Sequence, residues 1–280
     1  MLLFTYFYSL NHQILQMSKK VILVTGASSG IGKQIALHLS EKHTVYGTSR
    51  SKTSLTNVTM LQLDLANVEG FQQEIEKIIQ KEGKIDVLVN NAGVGITGPL
   101  EETSVDAAKK AFQTNVFGTM ELTNLVLPYL RKQQSGQIIF ITSIAGYMGL
   151  PFRGYYSASK AALISLVESL AMEVKSFNIH VNSIAPGDFA TNIASGRYTV
   201  EPNKHSPYRA YQTQLQLMNE HVDQGEDPIQ MAYKVASLIE GSPTNIHYKV
   251  GSFLQKFSIV LKRILPDFIY QKMLMNHYKL

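Results

Sequence analysis

The chain reads as one doubly wound α/β domain on a parallel, Rossmann-type sheet. Three features predict it. Short β-branched runs alternate with segments of helical periodicity, one central run is apolar without alternation, and a glycine-rich turn joins the first strand to the first helix. Val21–Thr25 is expected as the first strand, followed by a helix from about Ile31 to Glu41 with Ile31, Ile35 and Leu39 on one face. Thr44–Thr48 and Thr59–Leu63 read as the next two strands, and Phe71–Gln80 as a helix facing inward through Phe71, Ile75, Ile78 and Ile79. Ile85–Asn90, continuously apolar after Asp86, suits a strand covered on both faces. Ser104–Leu130 reads as one long helix kinked at Pro128, Gln137–Thr142 as a strand, and Tyr155–Phe177 as a second long helix. Ile179–Ile184 is a strand stopped by Pro186-Gly187. Residues 188–226 are an insertion with one amphipathic stretch (Tyr208, Tyr211, Leu215, Met218, Val222). A helix over Pro228–Glu240 and a strand over Ile246–Val250 complete the domain.

At 280 residues, 45% hydrophobic and 17% charged, the chain has ordinary globular composition and suffices for one core. It has no cysteine, which excludes disulfides, thiol nucleophiles and thiolate metal sites and fits a cytoplasmic setting. The eight histidines are scattered without ligand spacing, so no metal site is expected. The net charge of +5 belongs to residues 246–280, where six Lys/Arg face only Asp267. The remainder balances, so the body offers no basic face and no nucleic-acid partner is expected. Residues 1–18 are apolar without the basic start of a secretory signal or the length of a membrane span, and read as an extension or a mis-assigned start. The expected organisation is 1–18, a domain over 19–251 with 188–226 as its substrate-binding insertion, and a basic amphipathic extension over 252–280.

The glycine turn Thr25-Gly26-Ala27-Ser28-Ser29-Gly30-Ile31-Gly32 lies between strand and helix. There, free backbone N–H groups and the positive helix end can meet a pyrophosphate, and glycines allow close approach. An NAD site normally ends its second strand with a carboxylate for the ribose 2′-hydroxyl. This chain has Thr48-Ser49-Arg50-Ser51-Lys52 instead. Arg50, helped by Ser28, Ser49 or Lys52, suits a 2′-phosphate, so NADP(H) is expected over NAD(H). Asp64 and Leu65 end the third strand, with Asp64 a candidate partner for the adenine amino group. Asn90-Asn91-Ala92-Gly93 ends the fourth in a small-residue turn suited to adenine and ribose; turn chemistry alone would also explain either.

Tyr156 and Lys160 are four residues apart on a helix and share a face, and Ser143 ends the fifth strand at the carboxyl edge of the sheet. Tyrosine titrates near 10 and is a poor base at neutral pH. An ammonium about 4 Å away, at an effective dielectric near 20, supplies roughly 4 kcal/mol, or about three pKa units. Lys160 is therefore expected to bring Tyr156 toward neutrality. Ser143 can hold a carbonyl and stabilise developing alkoxide charge. Asn115, mid-helix where asparagine is mildly unfavourable, is a candidate anchor for a water linking Lys160 to solvent.

Taken in order, Thr25-Gly26-xxx-Gly30-x-Gly32, Asn90-Asn91-Ala92-Gly93, Asn115, Ser143, Tyr156-xxx-Lys160 and Pro186-Gly187-xxx-Thr191 resemble the short-chain dehydrogenase/reductase family in its compact single-domain branch. The resemblance spans about Lys20 to Gly251. It implies a catalytic tetrad with Tyr156 as acid/base, Ser143 on the substrate oxygen, Lys160 on the nicotinamide ribose and Asn115 in a proton relay. It also implies that Thr191 and the backbone after Pro186 (hence Gly187) bind the carboxamide. Relatives often carry a basic residue where this chain has Ser29, so the cofactor reading rests mainly on Arg50. Pairing through the two long helices into a homodimer or homotetramer is likewise implied.

Tyr147, Met148, Leu150, Phe152, Phe189, Tyr198 and Tyr208 suggest an apolar pocket for a bulky ketone or secondary alcohol, steroid-like or lipid-like, although loop packing would also account for them. In the extension, Phe253, Phe257, Val260, Leu261 and Ile264 recur at helical spacing with Lys256, Lys262 and Arg263 elsewhere on the wheel. Such a helix either docks on its own domain or lies on an anionic membrane, giving peripheral membrane contact. The function expected is ketone/secondary-alcohol oxidoreduction. The alternative is a catalytically silent dinucleotide sensor of the same fold, which would have no need of Tyr156.

Overall fold

The computed structural model describes residues 19–191, 196–223 and 225–280. The expected extension over 1–18 lies outside the described residues. Seven parallel strands form the main sheet in the order β3-β2-β1-β4-β6-β7-β9: β1 Val21–Val24, β2 Thr44–Ser49, β3 Val58–Gln62, β4 Val87–Asn90, β6 Gly136–Ile141, β7 Ile179–Pro186 and β9 His247–Val250. The order reverses between β1 and β4, so the chain winds outward in both directions and leaves a crevice at their carboxyl ends.

The sheet is buried on both faces because its side chains alternate between two apolar layers. Leu23, Leu88, Ile138 and Phe140 meet α2 (Phe71–Glu82), α4 (Gly118–Gln133) and α5 (Gly154–Glu173) through Phe71, Ile75, Leu122, Val126, Leu163 and Val167. Ile22, Val24, Val89 and Ile139 meet α1 (Gly30–Ser40) and α7 (Ile229–Glu240) through Ile35, Leu39, Met231 and Val235.

Three expectations need correction. The helix expected over Ser104–Leu130 is interrupted: α3 (Val105–Phe112) passes through a π turn at Gln113–Phe117 into α4, which carries Pro128 and runs on to Gln133. Tertiary bonds to Asn115 hold that turn, and local periodicity does not register them. The second long helix, α5, ends at Glu173 and passes into a short 3-10 turn at Lys175–Phe177. Within the insertion, β8 (Tyr198–Thr199) pairs in parallel with β5 (Ile96–Thr97) before α6 (Ala210–Asp223) begins. Of the amphipathic stretch, Tyr211 and Met218 are buried, Tyr208 and Leu215 are half-buried, and the Val222 side chain is not described. Residues 252–280 form two helices, α8 (Phe253–Ile264) and α9 (Asp267–His277).

Candidate active site

The glycine turn holds its shape because two of its residues take conformations that side chains resist. Gly26 and Gly30 sit at φ +66° and +52°. A Cβ on Gly26 would lie 3.0 Å from the Ala92 Cα, and one on Gly32 would collide with the Gly26 carbonyl and the Asn91 side chain. Thr25 ties this turn to the next strand end: its hydroxyl accepts from the backbone N–H groups of Asn91 and Ala92, each at 2.9 Å. The Asn91 side chain donates to the Thr25 carbonyl at 2.9 Å. Asn91 is thus engaged in holding two strand ends together.

α1 begins at Ser29 without a side-chain cap and with no acid in its first turn, so its leading N–H groups are available to an anion. A cleft runs from there along the crevice. It is lined by Gly26, Ser28, Ser29, Gly30, Ile31, Gly32, Arg50, Asp64, Leu65, Asn91, Ala92, Gly93, Tyr156, Lys160, Pro186 and Thr191. Every residue expected at the dinucleotide except Lys52, Asn90 and Gly187 is therefore on one continuous surface; Asn90 is buried, its side chain donating to the Thr123 hydroxyl at 2.9 Å. Gly187 faces the adjoining cavity instead, its N–H donating to the Val250 carbonyl at 2.8 Å. Glycine-walled space, an uncapped helix start and an exposed Arg50 with no acid at the β2 end fit a dinucleotide. Asp64, on the cleft wall, accepts from the Ala66 N–H at 3.0 Å through one carboxylate oxygen in an Asx turn.

At the inner end stand the four candidate catalytic residues. Asn115 is fully buried in the π turn. It accepts from the Val94 N–H at 2.7 Å and donates to the Val94 carbonyl at 2.9 Å and the Ser159 hydroxyl at 3.1 Å. π turns recur at functional sites because they add one residue and re-aim a side chain. Lys160 is 4% exposed, and its ammonium donates to the Ile141 carbonyl at 3.1 Å. Burial alone pulls its pKa down to about 8. Ser143 begins a 3-10 turn (Ile144–Tyr147), and its hydroxyl accepts from the Ala145 N–H at 3.1 Å.

The expected effect of Lys160 on the phenol needs correction. Burial pushes Tyr156 above its ordinary value, and what opposes it is a hydrogen bond from Ser143 and the positive charges of Arg153 and Arg197. The Lys160 ammonium lies 6.0 Å from the Tyr156 ring centre and is turned toward Ile141. The one-turn spacing brings the two residues to the same cleft, but not into the close pairing assumed from it.

Tyr156 also walls a second cavity, with Ser143, Gly95, Ile96, Arg153, Asp188, Phe189, Arg197 and Met218. Of the aromatic and apolar residues expected around a substrate, only Phe189 lines it. Tyr147, Met148 and Leu150 pack against Ile259 and Tyr270 of the C-terminal helices. Phe152 lies against Tyr211 with ring centres 5.3 Å apart, and Tyr208 is half-buried with its hydroxyl donating to Glu101. Sequence reasoning missed Arg153 and Arg197. Arg153 caps the start of α5, three residues before Tyr156, in a non-helical conformation that helical spacing does not predict. Arg197 lies in the insertion with no periodicity to mark it. Thr48, Val94, Thr114 and Thr142 of the dinucleotide cleft were missed too.

A family model described as short chain dehydrogenase matches residues 20–201. The chain belongs to the short-chain dehydrogenase/reductase family. Among these oxidoreductases, a Bacteroides thetaiotaomicron protein called 3-ketodihydrosphingosine reductase is 38% identical over 266 residues, 94% of this chain and 99% of that one. The crystal structure of a short-chain dehydrogenase from Streptomyces avermitilis is 31% identical and superposes with a TM-score of 0.79, covering 94% of this chain and 97% of the other. A Burkholderia phymatum member of the family, crystallised with NAD, shares the fold at a TM-score of 0.73 and 24% identity over 84% of this chain and 90% of its own.

Proposed function

We propose that this chain is an NADP(H)-dependent oxidoreductase that interconverts a ketone and a secondary alcohol. One observation carries the reading: Tyr156 is a wall common to the dinucleotide cleft and the second cavity, with Ser143 on the cavity side and Lys160 on the cleft side. A substrate oxygen in that cavity accepts hydrogen bonds from the Ser143 and Tyr156 hydroxyls. In reduction, Tyr156 gives its proton to the oxygen as negative charge develops there, and in oxidation the phenolate takes it back. The hydride for the carbonyl carbon would come from NADPH held in the cleft by the glycine turn and Arg50. Lys160, held by the Ile141 carbonyl, presents its ammonium to the cleft near Gly93, where it suits a ribose hydroxyl. Asn115 fixes Val94 and Ser159 around it, a position suited to the proton relay.

Arg50 in place of a carboxylate supports NADP(H), and Ile96, Phe189 and Met218 support an apolar substrate body. The test is NADPH oxidation against a ketone panel with Tyr156→Phe as control. Loss of about two or more orders of magnitude in kcat with a folded protein is expected; unchanged turnover overturns the chemistry and favours the silent sensor.

The extension supports a second role. α8 docks through buried Ile259 with Leu261 packed beside it, whereas Phe253 (73% exposed) and Ile264 (67%) of the stripe first read as apolar are turned out, together with neighbouring Leu254 (76%). With Lys256, Arg263 and Lys272 beside it, this face suits the surface of an anionic bilayer. No described helix is long and apolar enough to cross a membrane. Exposed Val105, Phe117 and Met172 on the α3–α4 and α5 surfaces support pairing of two copies through those helices.

A further inference from the structure

The second cavity holds two arginines that the proposed chemistry does not use. Arg153 stands at the start of α5, its own N–H on the Leu150 carbonyl at 3.1 Å and its carbonyl accepting from Ser157 at 2.8 Å. Arg197 enters from the insertion with its stem across Gly95, where a Cβ would lie 3.0 Å from the Arg197 Cγ. Each guanidinium has one neutral partner: Arg153 donates to the Tyr278 hydroxyl at 3.3 Å, and Arg197 to the Asn219 side-chain oxygen at 2.7 Å. The Nε–H of both is buried without an acceptor.

Among the described residues, neither arginine has a carboxylate within ion-pair distance. Asp188 lines the same cavity, but its carboxylate accepts from the Gln255 side chain at 2.8 Å, toward α8. Two cations so placed repel one another, and each charge lowers the other's tolerance of burial. The Arg197 guanidinium is shifted down by its burial first and by Arg153 second. Unused buried donors on two guanidinium groups lining one cavity are a site for an anion, since each group offers a planar fork that matches carboxylate or phosphate oxygens.

We propose that Arg153 and Arg197 recognise an anionic head on the substrate, a carboxylate or phosphate monoester a few bonds from the reacting carbonyl. This deepens the ketone/alcohol reading and rests on it. Ser143 and Tyr156 hold the carbonyl at one end of the cavity, the arginines hold the anion, and Ile96, Phe189 and Met218 cover the apolar chain.

The test uses the full chain saturated with dinucleotide and reads, by calorimetry, the binding of octyl phosphate, octanoate, octanol and octylamine. At least one anion binds roughly tenfold or more tightly than the alcohol and the amine. The stronger of the two anions identifies the head as phosphate or carboxylate. Arg153→Gln and Arg197→Gln each abolish the preference, while Arg197→Lys, which keeps the charge but loses the fork, retains part of it and guards against a folding defect. Equal binding of the four probes, tighter binding of the amine, or a preference that survives both glutamine substitutions overturns the proposal. Turnover of a long-chain β-keto acid against its methyl ester gives the kinetic arm: the preference for the acid falls by a similar factor in the variants. Tyr156→Phe abolishes turnover yet keeps the anion preference. Anion binding without turnover in the unmodified protein would therefore sink the ketone reading and leave the subsite standing.

Discussion

Tyr156 and Lys160 show how burial and charge divide the work at one cleft. Two opposing influences meet on the phenol, burial raising its pKa and Ser143, Arg153 and Arg197 lowering it. The lysine, in contrast, is depressed by burial to about 8. Because its folded pKa lies below the unfolded value near 10.5, the unfolded chain binds more protons between pH 8 and 10.5, and stability rises with pH across that window. The full penalty of burying Lys160 is felt at pH 7 and is relieved as pH climbs. Lys160→Met is expected to be more stable than the parent at pH 7, with the difference shrinking by about 3 kcal/mol by pH 10.5 in urea melts. A pH-independent difference would show that Lys160 is not depressed. At the other end of the cleft, Arg50→Ala should raise the apparent constant for NADPH roughly tenfold and leave that for NADH nearly unchanged. Equal effects would remove the assignment of the 2′-phosphate to Arg50.

The α3–π–α4 segment is the element on which the two ends of the cleft depend. Ser104 starts it, its hydroxyl accepting from the Ala107 N–H at 3.2 Å, and Asn115 breaks its regularity. The next residue of consequence is Gly118, where a Cβ would collide with the Leu65 carbonyl. Its backbone is ordinary helix, so the requirement is close approach and not conformation. α4 is thereby packed beneath the Asp64–Leu65 strand end that lines the cleft. Gly118→Ala is expected to push that strand end outward, costing about 1–3 kcal/mol of stability and weakening dinucleotide binding. Unaltered affinity, measured by fluorescence titration, would show that the strand end tolerates the displacement. Local periodicity does mark a helix here. The π turn and the crowding at Gly118 belong to contacts with Val94 and Leu65, distant in sequence.

At the scale of the whole molecule, the C-terminal helices do more than cover the domain. Gln255 bonds Asp188, and Tyr278 bonds Arg153 and accepts from Gln214, so the extension braces the wall of the second cavity. Its outer face stays apolar and basic. Leu254→Glu and Ile264→Glu, which leave the docking residue Ile259 in place, are expected to abolish flotation with phosphatidylserine vesicles while the parent floats. Parent protein that stays with the soluble fraction ends the membrane reading. If these substitutions instead dissociate a dimer in sedimentation velocity, the face belongs to a second copy and the α3–α5 surface does not carry the pairing.

The order of motifs along the chain determined the doubly wound fold, the strand ends that form the crevice, and the residues that come to the cleft. These depend on short-range rules: glycine where φ is positive, β-branched runs for strands, a helical repeat that puts Tyr156 and Lys160 on one face. Tertiary structure decided what those rules cannot carry. It turned Lys160 toward Ile141, committed Asn91 to the glycine turn, and moved Tyr147, Met148 and Leu150 from an imagined pocket into the docking surface of the extension. It also brought Arg153 and Arg197 together from separate elements. Burial and charge proximity depend on where the chain returns in space, and spacing along the sequence does not encode that.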